Sequence, residues 1–173
     1  MRSAFVALVG LASFAFYPAT ADEQMQIIAQ SGVWVTFAHS ESMTAPPDVC
    51  ALANMRDNVF FRQGEDGIEL RLLNEKWSLP ADVSGSIDVA VGAFSKSFPI
   101  IGNTSKSISS PVAADDAQTL FDAMDKNALM KVTVGKAKPM SVSLVGSTKA
   151  ATAFKTCAGL KGGSSTPDSN PFQ

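Results

Sequence analysis

Two cysteines far apart in the chain, Cys50 and Cys157, constrain the fold more than any other feature of the sequence. They follow an amino-terminal segment with the three parts of an export signal: a positive charge at Arg2, an apolar run over 4–16 and a small-residue pattern ending at Ala21. Exported proteins fold in oxidising compartments, where thiols form stable disulfides. We therefore predict one structural disulfide between the two cysteines. Two independent buried thiols are the alternative.

The export signal also sets the expected location and extent of the folded domain. Its apolar run is shorter than the roughly 20 residues that a membrane-spanning helix needs, so residues 1–21 are expected to be cleaved as a signal peptide. The remaining length suits one domain, which we place over 22–160. Residues 161–173 are rich in Gly, Ser and Pro and predict a disordered tail. The mature protein should therefore be periplasmic or secreted, without a transmembrane anchor.

Alternating apolar and polar residues predict a chain made mostly of β-strands. The clearest hairpin joins 59–62 to 68–72 across a polar link that contains two glycines. In its second strand Ile68, Leu70 and Leu72 are expected to face the core, because side chains alternate between the two faces of a strand.

Several further strands and two loops complete the β part of the prediction. Residues 22–32 are expected to form an ordered lead-in or a first edge element. Residues 39–48, with Ser and Pro, and residues 103–110, with several Ser, are predicted to be connections. The other predicted strands are 33–38, 86–91, 94–101, 129–134 and 140–144.

Helical periodicity is confined to the carboxyl-terminal half. Apolar residues at three- and four-residue spacing predict a helix from about Asp115 to Lys126, with Ala117, Leu120, Phe121 and Met124 on one face. A second helix is predicted to start with Ser147 as its N-cap and to continue to Ala158. The predicted fold class is therefore α+β, mostly β, with antiparallel sandwich-like sheets, two helices in the carboxyl-terminal half and one disulfide.

His39 is the one histidine of the chain and the only side chain expected to transfer protons near pH 7. Its neighbours Ser40, Glu41 and Ser42 are residue types that nucleophilic catalysis uses. The sequence contains neither a Gly-x-Ser-x-Gly elbow nor a Ser-x-x-Lys motif. We therefore predict no catalytic residue, and His39 is expected to be a loop residue at a possible binding surface.

The two tryptophans, Trp34 and Trp77, are the remaining candidates for a binding surface. Each lies in or beside an apolar strand, so packing in the core or on a sheet face is the favoured alternative. Two cysteines and one histidine cannot complete the four-ligand set of structural zinc, so no metal or other cofactor is predicted. A formal net charge of −2 without a basic patch argues against a nucleic-acid partner.

The order of elements near the carboxyl terminus resembles that of a known family. The elements are a helix over 114–126, strands over 129–134 and 140–144, the pair Gly146-Ser147 and a helix ending at Cys157. With Gly32-Val33-Trp34 and the segment around Cys50, this order resembles the small exported proteobacterial domains typified by the invasion-associated locus B protein. The likeness covers about residues 32–160, without the family's second cysteine pair. The resemblance implies no catalytic residues, and the family's name implies a role in host-cell interaction.

Two functional classes remain open from the sequence. The favoured one is an exported, non-enzymatic domain that binds a protein or cell-envelope partner through a sheet face or an exposed edge strand, since such binding needs no catalytic group. The alternative is a hydrolase or a hydrolase inhibitor that uses the His39–Ser42 loop.

Overall fold

The computed structural model describes residues 24–42 and 44–160, so the predicted signal peptide and carboxyl-terminal tail lie outside the described residues. The strands are β1 (Gln24–Ser31), β2 (Trp34–Ser40), β3 (Val49–Asn54), β4 (Val59–Gly64), β5 (Gly67–Leu73), β6 (Ser86–Val91), β7 (Phe94–Pro99), β8 (Gly102–Asn103), β9 (Ser107–Val112), β10 (Leu129–Val134) and β11 (Met140–Ser143). The helices are α1 (Ala114–Met124) and α2 (Ser147–Cys157).

These strands form two antiparallel sheets. The large sheet has the order β1-β2-β3-β4-β5-β9-β8, and the small sheet has the order β11-β10-β6-β7. Buried side chains from both sheets and both helices belong to one continuous core. The prediction of a mostly β, antiparallel fold with two helices in the carboxyl-terminal half is confirmed.

The hairpin of β4 and β5 shows how the sequence pattern sets the faces of the large sheet. Ile68, Leu70 and Leu72 are buried, whereas Arg71 is exposed and Glu69 is half-buried on the opposite face. Gly67, the first residue of β5 after the short turn, has φ +100°, a conformation that an L side chain rarely adopts. One face of the large sheet therefore lies on the core, and we call the opposite face its outer face.

The helices fill the core with aromatic side chains. Phe121 of α1 lies between Phe61 of β4 and Phe154 of α2, with ring centroids 5.1 and 5.4 Å apart and edge-to-face geometry. All four apolar residues predicted for the buried face of α1 are buried: Ala117, Leu120, Phe121 and Met124. The prediction of that helix and its face is confirmed.

The predicted disulfide is present. Cys50 is the second residue of β3 and Cys157 is the last residue of α2, with 6.0 Å between their Cα atoms. The bond therefore ties the carboxyl-terminal helix to the third strand of the large sheet, and the alternative of two independent thiols is wrong.

Two of the predicted connections are shorter than expected, because strands extend into them. His39 and Ser40 complete β2, so the loop after that strand begins only at Glu41. The region predicted as a serine-rich connection over 103–110 contains most of β9, which pairs with β5 inside the large sheet. The serines of β9 obscure the alternation of apolar and polar residues in the sequence, although Ile108 and Val112 face the core.

The start of α2 also differs from the prediction. Gly146 is the N-cap, with φ +86°, and Ser147 is the first helical residue. The hydroxyl of Ser147 is buried and makes no hydrogen bond. The assignment of Ser147 as the N-cap is therefore wrong, and glycine takes the position because its backbone must adopt a left-handed conformation there.

Candidate functional site

The outer face of the large sheet is apolar at one end, where β1 forms the edge of the sheet. Across β1 and β2, Met25 pairs with His39 and Ile27 pairs with Phe37, and directly paired residues lie on the same face. Trp34 and Thr36 of β2 point to the other face and are buried. Met25, Ile27, Phe37 and His39 therefore share the outer face.

Three large apolar residues of β1 are exposed to solvent. Met25 is 72% exposed, Ile27 is 61% exposed and Ile28 is 41% exposed. The pairing of β1 with β2 shifts between Ile27 and Ala29, so Ile28 lies at a bulge without a paired residue in β2. We call Met25, Ile27 and Ile28 the β1 patch.

The rest of the molecular surface formed by the sheets is more polar than the β1 patch. Further along the outer face, Arg71 of β5 pairs with Glu69, with 2.9 Å between Nη2 and Oε1. On the small sheet, the face away from the core carries mainly polar side chains: Asp88, Ser95, Ser97, Lys131, Thr133 and Ser141. The apolar exposure of the sheets is therefore concentrated at the β1 edge, with Leu129 as a further exposed residue on β10.

His39 lies at the end of the outer face and forms a close pair with Asp48. Its Nδ1 donates to Oδ1 of Asp48 over 2.7 Å, and the backbone N–H of Asp48 donates to the carbonyl of His39 over 3.0 Å. These two bonds close the connection between β2 and β3. The carboxylate therefore holds the imidazole in a fixed position beside Met25.

The serines near His39 are arranged differently from a catalytic triad. Ser40 follows His39 in β2, so its side chain points to the opposite face of the sheet, where it is buried. Ser42 lies in the loop, with its Oγ 3.5 Å from the hydroxyl of Thr44. The structure thus brings His39 together with Asp48 and separates it from the hydroxyl of Ser40.

The two tryptophans differ in burial. Trp34 is 0% exposed, and its indole Nε1 donates to the carbonyl of Ser143 over 2.9 Å, which joins the two sheets. The suggestion of Trp34 as a binding-surface residue is therefore wrong, because its ring fills the core. Trp77 lies in the connection after β5, where it is half-buried against the edge of the core.

Sequence reasoning missed the binding potential of β1 itself. It expected an edge element over 22–32 but assigned no role to it. The signal lies in the run Gln24–Ser31, which contains no charged residue and no proline but three large apolar side chains. Edge strands usually carry charges or proline that prevent pairing with other chains, so their absence distinguishes β1.

Compared with protein-family models, with curated proteins and with solved structures, the chain matches none of them. Within residues 24–42 and 44–160 there is no cluster of three or more His, Cys, Asp or Glu side chains that could hold a metal ion. In the same part of the chain no helix has the length and apolar character needed to cross a membrane.

The His39–Asp48 pair predicts a measurable pH dependence. The hydrogen bond from His39 holds the pKa of the Asp48 carboxyl below its ordinary value of 3.8. Because the pKa is lower in the folded state, the pair stabilises the fold above about pH 3.8, and this contribution is lost as the pH falls through the folded-state pKa. We expect His39→Ala to raise the pKa of Asp48, measured by NMR titration of the side-chain carboxyl carbon.

Lys96→Ala provides the control for that titration, since it removes a cation from an ion pair that lies elsewhere on the surface. The titration of Asp48 in this control variant should match that in the wild-type protein. An Asp48 titration that is unchanged by His39→Ala would show that the imidazole does not stabilise the carboxylate in solution.

Proposed function

We propose that this chain is an exported, non-enzymatic domain, periplasmic or secreted, that binds a protein partner through β1. The observation that carries the proposal is the β1 patch on an open, uncharged edge strand. The partner contributes an extended strand that pairs with β1 and places apolar side chains against the patch. This mode of recognition combines backbone hydrogen bonds with side-chain contacts on one face.

The backbone of β1 supplies the first half of the interaction. Among the described residues, β1 has a neighbouring strand on one side only, so its outer edge presents backbone N–H and C=O groups for pairing. An incoming strand would satisfy these groups as the next strand of the sheet. Eight residues are available, which is longer than an average strand.

The exposed side chains supply the second half. Burying an exposed apolar side chain contributes about 1.5–3 kcal/mol when it is fully covered. Phe37, half-buried next to Ile27, extends the apolar surface that a partner would cover. An uncovered edge of this composition would promote aggregation, which gives a reason for the strand to have a partner.

The expected export route places this strand close to the start of the mature chain. Cleavage after Ala21 would leave only Asp22 and Glu23 before β1. The disulfide supports an oxidising compartment for the folded domain. Sequencing of the mature amino terminus tests this placement directly.

The alternative function is that of a hydrolase or a hydrolase inhibitor at the His39–Ser42 loop. One observation favours it: the carboxylate of Asp48 orients the imidazole as the third member of a triad would. The burial of Ser40 on the opposite face leaves Ser42 as the candidate nucleophile of the loop. Loss of a hydrolytic activity in both His39→Ala and Ser42→Ala would favour this alternative over the binding function.

The β1 proposal is tested by placing a charge in the patch. We expect Ile27→Lys to weaken partner binding by at least roughly tenfold, because the ammonium group would have to be desolvated in the interface. A photo-crosslinking amino acid in place of Ile27, introduced in the exporting cell, should yield one defined adduct. Mass spectrometry of the adduct identifies the crosslinked protein. That protein is then purified without the crosslink, and its affinity for the wild-type chain and for Ile27→Lys is measured by titration.

Ile101 provides the matched control, since it is also an exposed isoleucine, 72% accessible, and lies between β7 and β8. Ile101→Lys should bind as the wild type does, and a crosslinker at that position should give no such adduct. Equal weakening by both substitutions would contradict the proposal. A crosslinked homodimer as the only adduct would show that a second copy, rather than another protein, covers β1.

A further inference from the structure

A separate cleft lies where the ends of the two sheets meet. Its walls come from the turn between β3 and β4, the end of β5, the connection after β5 and the β10–β11 hairpin. The cavity volume is about 450 Å³, within the range of small-molecule sites. None of the three residues of the β1 patch lines this cleft.

The inner surface of the cleft is apolar. Leu72 and Val132 are buried at its base, and Val134 and Met140 are half-buried beside them. Trp77 forms part of the same wall and is also half-buried. A ligand that enters the cleft would therefore have its body surrounded by aliphatic side chains and one indole ring.

The mouth of the cleft is cationic. Arg56, Lys76 and Lys138 line it and are exposed, and Asp57 is the only carboxylate among the lining residues. Arg56 pairs with Asp57 over 3.2 Å, which balances those two charges. Within the described part of the chain Lys76 and Lys138 form no ion pair, so two positive charges remain at the mouth.

The segment that carries Lys76 and Trp77 is held in place by hydrogen bonds. Lys106 Nζ donates to the carbonyls of Glu75 and Trp77, each over 2.6 Å. The N–H of Trp77 donates to the carbonyl of Asn74 over 3.0 Å. A wall fixed before the ligand arrives loses less conformational entropy on binding than a mobile loop would.

We propose that this cleft binds a small amphiphilic carboxylate, with its apolar body inside the cleft and its head group at Lys76 and Lys138. An apolar interior with charge at one end matches that ligand class, since ammonium groups form strong hydrogen bonds to carboxylates. A cationic amphiphile of the same length would meet like charges at the mouth. This site is independent of the protein-binding function proposed for β1.

The test is a titration with decanoate below its micelle concentration, followed by isothermal calorimetry and by tryptophan fluorescence. We expect saturable binding and a change in the emission of Trp77, since Trp34 is buried in the core. Decyltrimethylammonium, whose alkyl tail is one carbon longer and whose head group has the opposite charge, should not bind. Absence of saturable decanoate binding, or equal binding of the two amphiphiles, would overturn the proposal.

Two double variants assign the site to the cleft. Lys76→Gln with Lys138→Gln should weaken decanoate binding roughly tenfold or more, through loss of charge-assisted hydrogen bonds. Lys131→Gln with Lys149→Gln makes the same charge change at exposed lysines outside the cleft and should leave binding unchanged. Equal effects of the two pairs would show attraction to net charge alone and would contradict the assigned site.

Trp77→Ala and Ile27→Lys separate this proposal from the one for β1. Trp77→Ala should abolish the fluorescence response and weaken the calorimetric signal, with the fold checked by circular dichroism. Ile27→Lys should bind decanoate as the wild type does, because Ile27 is not part of the cleft. Loss of decanoate binding in Ile27→Lys would contradict the independence of the two sites.

Discussion

Replacing both Cys50 and Cys157 with alanine is expected to lower the free energy of unfolding by up to about 4.7 kcal/mol. The disulfide joins residues separated by 107 positions in the sequence, and a loop of that length loses much conformational entropy in the unfolded state. Equilibrium unfolding in urea, followed by circular dichroism, measures the change. The urea dependence of the unfolding free energy should also increase, because an unfolded chain without the cross-link exposes more surface.

The reduced wild-type protein is the control for this prediction. It keeps the side chain of Cys50 in the core and that of Cys157 half-buried beside it but loses the covalent bond, so its stability should match that of the double variant. If the reduced protein were as stable as the oxidised one while the variant were not, packing of the sulfur atoms would be the cause. Equal stability of all three forms would contradict a stabilising disulfide.

The anchoring of α2 explains where local opening should begin without the disulfide. Besides Cys157, the helix is held by Phe154 in the core and by a hydrogen bond from Thr36 Oγ1 to the carbonyl of Ala150, over 2.7 Å. The hydrogen bond lies in the first half of the helix, whereas Phe154 lies in its last turn. In that turn Lys155 also pairs with Asp122 and Asp125, over 3.5 and 3.4 Å. The disulfide adds the covalent attachment of the end of α2 to β3, which is lost when it is removed.

The sequence predicted strands well where alternation was clear, and β9 shows why it failed elsewhere. Ser110 faces the core, but its hydroxyl donates to the carbonyl of Pro99 over 2.5 Å, so the buried oxygen is satisfied. Pro111 has no backbone N–H to donate to a neighbouring strand. It is tolerated because β8, the outer neighbour of β9, pairs only with Ile108 and Ser109 and does not reach Pro111. Both compensations come from tertiary contacts, which composition and periodicity do not report.

The candidate sites were predictable to different degrees, depending on how far each is formed by tertiary contacts. An edge element over 22–32 could be expected, and the uncharged apolar run of β1 is visible in the sequence. The cleft could not be predicted, because Arg56, Trp77 and Lys138 come from three distant connections that meet only in the folded protein. His39 and Asp48 are close in sequence, but their pairing depends on the turn that joins β2 to β3.

Phe121→Ala is expected to destabilise the fold by about 3–5 kcal/mol, the range for removal of a large aromatic side chain from a core. The side chain is fully buried and contacts aromatic rings of both β4 and α2, so its loss leaves a cavity where three elements meet. Phe60→Ala is the matched control: Phe60 precedes Phe61 in β4 but is half-buried on the outer face. Its removal should cost clearly less in the same urea experiment. Equal losses for the two variants would show that the Phe61–Phe121–Phe154 cluster is not the centre of the core.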